Sequence, residues 1–199
     1  MSVFRKNIIL GSQSPRRREL LGGLDIPFTA VSIEADESYP ADLQRGDIPY
    51  FISRAKARAY APEMRDDELL ITADTIVWAE ERMLGKPHSE AEAIEMLKLL
   101  SNKTHQVYTA VTFAHLSSSS LVLDTVVDQT DVTFAPLTDG EIARYVSKYR
   151  PFDKAGAYGI QEWIGYVACT AMNGSYFNVM GLPVHKVYEY LKKNGYYED

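Results

Sequence analysis

The chain has 199 residues, 46% of them hydrophobic, enough for one packed core or two small lobes. Its 21 Lys and Arg stand against 27 Asp and Glu, a formal net charge of −6, so its overall field does not attract a nucleic-acid polymer, and no basic stripe with interleaved aromatics marks a polymer surface. The single cysteine, Cys169, excludes an intrachain disulfide and a thiolate metal site. No apolar run approaches a membrane span, and the one after Arg5 and Lys6 is too short for a signal peptide, so the expectation is a soluble, cytoplasmic protein.

Ile8-Ile9-Leu10 predicts a first strand. It leads into Gly11-Ser12-Gln13-Ser14-Pro15-Arg16-Arg17-Arg18-Glu19-Leu20-Leu21, which opens a helix. Ser14 is placed as N-cap, and Pro15 suits the first helical position, where its missing N–H would have no partner anyway. Leu20, Leu21 and Leu24 supply the apolar face. Arg16, Arg17 and Arg18 face the positive end of the helix dipole, which disfavours them unless an anion binds there. Backbone N–H groups, serine hydroxyls and forked guanidiniums together make a phosphate or polyphosphate seat; a solvated basic helix end is the plainer alternative.

Phe28–Ile33 alternates as a second strand and runs into Glu34-Ala35-Asp36-Glu37. Carboxylates without clustered His or Cys suit Mg²⁺ or Mn²⁺ rather than zinc, although an acidic loop is ordinarily just solvated. Ile48, Phe51, Ile52, Ala55 and Ala59 recur at helical spacing with Asp47 as cap, and Lys56 lies beside that apolar face as a candidate phosphate clamp. Leu69–Ala73 predicts a buried strand ending at Asp74, followed by Thr75. Ligands of α/β sheets gather beyond the carboxyl ends of strands, so Asp74 is a candidate catalytic or metal-binding acid; position alone equally allows a solvated strand-end residue.

Gly85-Lys86-Pro87 marks a turn that could aim the Lys86 amine. A capping box at Ser89–Glu92 announces a helix to Leu100. Gln106–His115 and Leu121–Phe134 predict two long strands joined through Ser117–Ser120, an extended hairpin with a polar tip. A second box, Thr138-Asp139-Gly140-Glu141, starts a helix carrying Ile142, Tyr145, Val146 and Tyr149, and Pro151 stops it. Lys154 precedes Ala155-Gly156-Ala157-Tyr158-Gly159; its glycines allow close backbone approach to a ligand, and the amide of Gln161 could read a base edge, with a tight structural turn as the alternative. Tyr166–Met172 predicts a strand with Cys169 as a buried thiol, Asn173-Gly174 a tight turn, and a last helix runs from near Pro183 to near Gly195. No histidine pair has metal-ligand spacing, and there is no Walker loop or GxGxxG. The class is α/β with an elongated mixed sheet, residues 1–199 forming one domain.

Several of these pieces, taken in order, resemble the Maf family of nucleoside triphosphate pyrophosphatases. They are Ser12–Arg17 with Glu19-Leu20-Leu21, Asp36-Glu37, Ala55-Lys56-Ala57, Ala73–Val77, Gly85-Lys86-Pro87, Thr104–Val107, Asp153–Gln161, Asn173–Ser175 and Val179–Pro183, spanning Ile9 to Leu191. The resemblance implies a fold like that of inosine triphosphate pyrophosphatases, two lobes around a cleft and often a homodimer. It also implies hydrolysis of a free nucleoside triphosphate between its α and β phosphates with Mg²⁺ or Mn²⁺. On that resemblance Asp74 is the general base, aided at the metal by Glu37. Ser12, Arg16, Arg17, Lys56 and Lys86 form the triphosphate-binding set, and Arg16, Thr75 and Gln161 tune substrate choice. Gly159-Ile160-Gln161 with Tyr158 resembles the subgroup acting on dTTP and UTP. Two alternatives stand beside it: the same chemistry on 7-methyl-GTP or another modified nucleotide, and a nucleotide-binding regulator of cell division. Gly11, where many members carry Ala, and Gln13, where small residues are common, depart from the pattern.

Overall fold

The computed structural model describes residues 3–4 and 6–198; Arg5 lies outside the described residues. In chain order the elements are β1 (Val3–Phe4), β2 (Asn7–Gly11), α1 (Pro15–Gly22), β3 (Phe28–Val31), α2 (Asp47–Tyr60), β4 (Glu68–Ala79), β5 (Arg82–Leu84), α3 (Glu90–Leu100), β6 (Thr104–Ser117), β7 (Ser120–Phe134), α4 (Asp139–Tyr149), α5 (Trp163–Ala168), β8 (Cys169–Asn173), α6 (Tyr176–Met180), α7 (Val184–Lys193) and β9 (Tyr197–Glu198), with 3-10 turns at Ala61–Glu63 and Ala155–Ala157. The main sheet has the strand order β3-β2-β4-β6-β7-β8, with β5 added to β4; β1 pairs separately with β9. β3 and β4 run parallel to β2, whereas β5 is antiparallel to β4 and β8 to β7. This is the mixed α/β sheet that the patterning predicts. The chain divides into two compact units, and β4, β6 and β7 each contribute residues to both.

The first unit comprises the chain up to Asp74, Thr109–Asp128 and the segment from Gly181 onward. Ile8, Ile9 and Leu10 are all buried in β2, an interior strand between β3 and β4. Ile9, Leu70, Ala114, Met64 and Ala57 of α2 form one cluster, and Val31, Ile33, Leu121 and Leu123 pack against it. A hydroxyl ladder runs through this apolar interior. Thr72 Oγ1 donates to the Ser53 carbonyl (2.7 Å), Ser53 Oγ meets Thr112 Oγ1 at 2.8 Å, and Thr112 Oγ1 meets Thr125 Oγ1 at 2.9 Å. Each hydroxyl of the ladder is thereby given a partner, and α2 is pinned to β4 and to the hairpin. α7 lies on that hairpin: Tyr190 stacks on Phe113 at 3.7 Å and donates to Asp124 (2.7 Å), and Lys186 reaches the Val127 carbonyl (2.7 Å). The hairpin turns through Ser118 and Ser119, both at positive φ, the conformation that a two-residue turn matched to strand twist demands.

The second unit comprises Thr75–Tyr108 and Gln129–Met180. α3 packs on α4 and on the Ala155–Ala157 turn. Ser89 Oγ accepts from the Glu92 N–H, and the Thr138–Glu141 box is complete in both directions.

Several sequence expectations need correction. Gly46, not Asp47, is the N-cap of α2; Asp47 is the first helical residue, where its charge favours the dipole. Ala59 is exposed, and Ser53 and Ala57 take the buried positions of that helix. Tyr166–Ala168 are helical rather than extended. Ile164 and Ala168 are buried four residues apart, while Tyr166 and Val167 between them are 83% and 44% exposed, a helical rather than a two-residue period. Cys169, at the start of β8, is only half-buried. At Gly11 a Cβ would meet Ile33 Cδ1 at 2.3 Å, so Ile33 takes the space that a side chain at this position would need.

Candidate active site

β2 pairs with β4 only as far as Gly11 opposite Thr72. Beyond that point β2 gives way to the Ser12–Ser14 turn, while β4 continues to Ala79 without it. Asp74 therefore does not end a strand, as its position suggested; it lies in the interior of one, just past the place where its parallel neighbour stops. Among the twelve residues of β4, Asp74 and Thr75 alone are half-exposed and all others are buried. A carboxylate is tolerable there only with a partner. Lys56 supplies it: Nζ donates to Asp74 Oδ1 at 2.8 Å and stands 3.0 Å from Glu37 Oε1. The Lys56 and Asp74 side chains are each 13% exposed, whereas Glu37 is 55% exposed. Both partners descend from ordinary packing rules. Lys56 sits on α2 three residues after the Ser53 carbonyl that takes the Thr72 hydroxyl, and Thr72 is two residues before Asp74, so one buried hydrogen bond sets the spacing of the ion pair.

Arg17 completes this centre from α1. Its Nη1 donates to the Ala73 carbonyl (2.9 Å) and its Nε to the Gly181 carbonyl (2.8 Å). Ala73 lies beyond the β2–β4 pairing, so the guanidinium supplies a hydrogen bond where the parallel ladder has ended. Gly181 has φ +111°, a backbone conformation that favours glycine. Burial pulls the Arg17 guanidinium below its ordinary value, with Asp74 and Glu37 opposing that shift and Arg16 adding to it. Ser14 is the N-cap residue, as expected, but its hydroxyl does not cap; Ser12, itself buried, accepts the Ser14 N–H at 3.2 Å, and no acidic residue occupies the first turn of α1. Gln13 turns away and donates to Ser32 Oγ at the end of β3.

The acidic loop divides. Asp36 is exposed and accepts the Ser38 N–H (2.9 Å), which holds its carboxyl below the usual range; Glu34 is exposed, and only Glu37 joins the lysine. Ser12, Arg17, Glu37, Lys56 and Asp74 thus gather in the first unit, with Arg16 close enough to Arg17 to repel its charge. Thr75, Lys86 and Gln161 belong to the second. There Lys86 is exposed at the Gly85–Pro87 turn, whose Gly85 carbonyl accepts the Gly156 N–H (3.0 Å), and Gln161 follows the Gly156–Gly159 loop with its Oε1 buried and without a hydrogen-bond partner.

The donor set fits a hard divalent cation in one way only. Glu37 and Asp74 already converge on a single positive group, and both offer oxygen, but among the described residues no cluster of three or more His, Cys, Asp or Glu could hold a metal. Two carboxylates with the remaining ligands from water and phosphate is the arrangement Mg²⁺ favours. The sequence reading missed the Ser53–Thr72–Thr112 ladder, because a serine on an apolar helix face gives only a faint signal. The sequence places Tyr145 only on its helix with Ile142, Val146 and Tyr149; the hydrogen bonds of its hydroxyl emerge only with Gly159 and Glu162 beside it.

The fold and the site define an α/β protein whose lysine–carboxylate centre sits where a parallel strand ends, flanked by an arginine-bearing helix start. Residues 7–194 match the model of the family described as Maf-like protein, and the chain belongs to that family. A relative from Parabacteroides distasonis, named dTTP/UTP pyrophosphatase, is 53% identical over 96% of this chain and 97% of its own. One from Porphyromonas gingivalis strain W83, with the same name, is 51% identical over 98% of this chain and 97% of its own. The solved Ham1 protein of Staphylococcus aureus superposes with a TM-score of 0.47 at 11% identity, covering 65% of this chain and 72% of that one, too loose a likeness to bear on the site.

Proposed function

We propose that the protein is a nucleoside triphosphate pyrophosphatase that hydrolyses dTTP and UTP to the monophosphate and pyrophosphate. The nucleotides follow from the names of relatives at about half identity over nearly the whole of both chains. The chemistry rests on one observation: Asp74, which with Thr75 interrupts the burial of β4, shares the Lys56 ammonium with Glu37. In this reading Asp74 accepts a proton from the attacking water. Water oxygen bonds to the α-phosphorus, the bond from that phosphorus to the bridging oxygen breaks, and pyrophosphate leaves with the electron pair. Lys56 has three N–H donors, so one ammonium can serve both carboxylates and a phosphate oxygen. Arg17 holds the backbone before Asp74, and Arg16, Ser12 and Lys86 bind phosphate. Thr75 and Gln161 face substrate choice. Glu37 and Asp74 would hold Mg²⁺ or Mn²⁺, which supplies positive charge to the phosphate oxygens as negative charge develops there. The same reading takes residues 1–199 as one catalytic domain working as a homodimer in the cytoplasm; among the described residues no helix is long and apolar enough to cross a membrane.

The test is a panel. Purified protein with Mg²⁺ and, separately, dTTP, UTP, CTP, 7-methyl-GTP and ATP is resolved by ion-exchange chromatography. Monophosphate plus pyrophosphate from dTTP and UTP is the expected result. Turnover of the methylated purine alone would keep the chemistry and overturn the substrate, and no turnover with either Mg²⁺ or Mn²⁺ would overturn the enzyme reading.

A further inference from the structure

Resting on the nucleotide reading above, we propose that Tyr145, Glu162 and Lys154 are positioning residues that fix Gln161 and thereby set discrimination of uracil and thymine from cytosine. The loop that carries Gln161 is held by side chains rather than by a sheet. The Gly159 N–H donates to the Tyr145 hydroxyl (3.0 Å, buried), and that hydroxyl donates to Glu162 Oε2. Glu162 Oε1 pairs with Lys154 Nζ at 3.0 Å, and the same ammonium bonds Asp153 Oδ1 at 2.7 Å. Gln161 is thus bracketed by two anchored positions, Gly159 two residues before it and Glu162 one after. The bracket is tight: a Cβ at Gly159 would stand 2.8 Å from Glu162 Cδ and 3.0 Å from Lys154 Cε. At the start of the loop Gly156, at φ +68°, presses on Val77, where a Cβ would meet Cγ2 at 2.8 Å.

Such a network is costly in a protein interior. The Lys154 side chain is 9% exposed and that of Glu162 20%. An ion pair so enclosed adds little stability over an apolar replacement, and its best-attested use is to specify one arrangement. Burial and the Glu162 bond push the Tyr145 phenol above its ordinary range, so it stays a neutral hydroxyl that donates and accepts at once. The loop also keeps Gln161 Oε1 buried without a hydrogen-bond partner, an acceptor maintained at its own expense.

The chemistry of the bases says what this could serve. A glutamine amide offers a carbonyl acceptor beside an N–H donor. Uracil and thymine present the complement, a ring N–H beside the O4 acceptor, whereas cytosine presents a ring acceptor beside an amino donor. An amide free to rotate can match either edge; one held in place matches one. Loosening the bracket should therefore change the ratio between bases more than it changes turnover.

The experiment measures kcat and KM for UTP, dTTP and CTP with Tyr145→Phe, which removes only the hydroxyl, and with Glu162→Gln, each checked for folding by circular dichroism. The expected result is a fall of at least about fivefold in the UTP-to-CTP ratio of kcat/KM, with kcat for UTP within about threefold of the parent. A ratio unchanged within about twofold in folded Tyr145→Phe would overturn the proposal, because a merely structural role lowers all substrates together. Should Glu162→Gln fail to fold, Tyr145→Phe decides alone. Failure of the parent protein to release pyrophosphate would overturn the catalytic reading, and the network would still be decided by titrating UMP and CMP by isothermal calorimetry. A UMP preference that Tyr145→Phe erases supports it; equal affinities in the parent protein overturn it.

Discussion

Replacing Arg17 separates two roles that a cation in this place can have. If its main work is to tie backbone, Arg17→Met removes two hydrogen bonds from a charged donor and leaves the Ala73 and Gly181 carbonyls without it. Hydrogen bonds to charged groups contribute about 1.5–3 kcal/mol each, so the loss is about 3–6 kcal/mol, less whatever water recovers at the half-buried site. For a chain of this size each kcal/mol lowers Tm by about 2–4 °C, which gives a drop of at most about 6–24 °C. Arg17→Lys keeps the charge but cannot fork between two carbonyls, so about half of that drop is expected. Ala73 precedes Asp74, and a misplacement of about 1 Å can cost a hundredfold in rate, so kcat should fall about 10- to 100-fold in Arg17→Lys while KM changes less than about threefold. Scanning fluorimetry and steady-state kinetics on UTP read both. An unchanged Tm with KM raised more than about tenfold and kcat retained would refute the tether and make Arg17 a phosphate ligand.

Asp74→Asn should lower kcat at least about a hundredfold, the usual worth of a positioned acid or base, while the amide oxygen still accepts from Lys56 and keeps the fold; near-normal turnover in the folded variant would remove Asp74 from the base role. His105, fully buried against Tyr158 and Phe134, has its pKa lowered by burial from 6.5 to about 4. The unfolded chain then binds more protons than the folded one between these values. Its contribution is present above pH 6.5 and lost as pH falls towards 4, by roughly 3 kcal/mol in all. Denaturant unfolding at pH 7 and pH 5 should show the loss beginning, and His105→Gln should flatten that difference.

The sheet and most helices were legible because they rest on local rules: Ile8-Ile9-Leu10 and Leu69–Ala73 are continuous apolar runs, and the boxes at Ser89 and Thr138 mark helix starts by chemistry that acts within four residues. What failed was decided at longer range. Asp74 looked like a strand end because charge follows five core-like residues, yet β4 runs on through Ile76–Ala79, and β5 pairs with that continuation. The Tyr166–Ala168 stretch is as apolar as a strand, and only the burial of Ile164 and Ala168 on one side makes it helical. At the site, residue types were legible and contacts were not. Nothing in Lys56 or Glu37 alone announces that one ammonium serves both Glu37 and Asp74, or that Arg17 turns to the backbone carbonyls on either side.

Charge balance bears on how this centre would take a triphosphate. Lys56 and the Arg17 charge face Glu37 and Asp74, and Arg16 stands beside Arg17, so three cations stand against two carboxylates and leave a small positive excess inside a chain of net charge −6. That excess attracts a phosphate but does not neutralise a triphosphate, whose charge exceeds it several times over. The two carboxylates would oppose the substrate if they stayed bare. Held with a divalent cation between them, they would reverse their effect and let Lys56 turn part of its donor capacity to phosphate. The arrangement therefore predicts metal-dependent binding: a non-hydrolysable UTP analogue should bind tightly with Mg²⁺ and weaken at least about tenfold in EDTA. Glu37→Gln should shrink that difference by removing one of the two carboxylates. Equal affinity with and without metal, measured by isothermal calorimetry, would refute the argument.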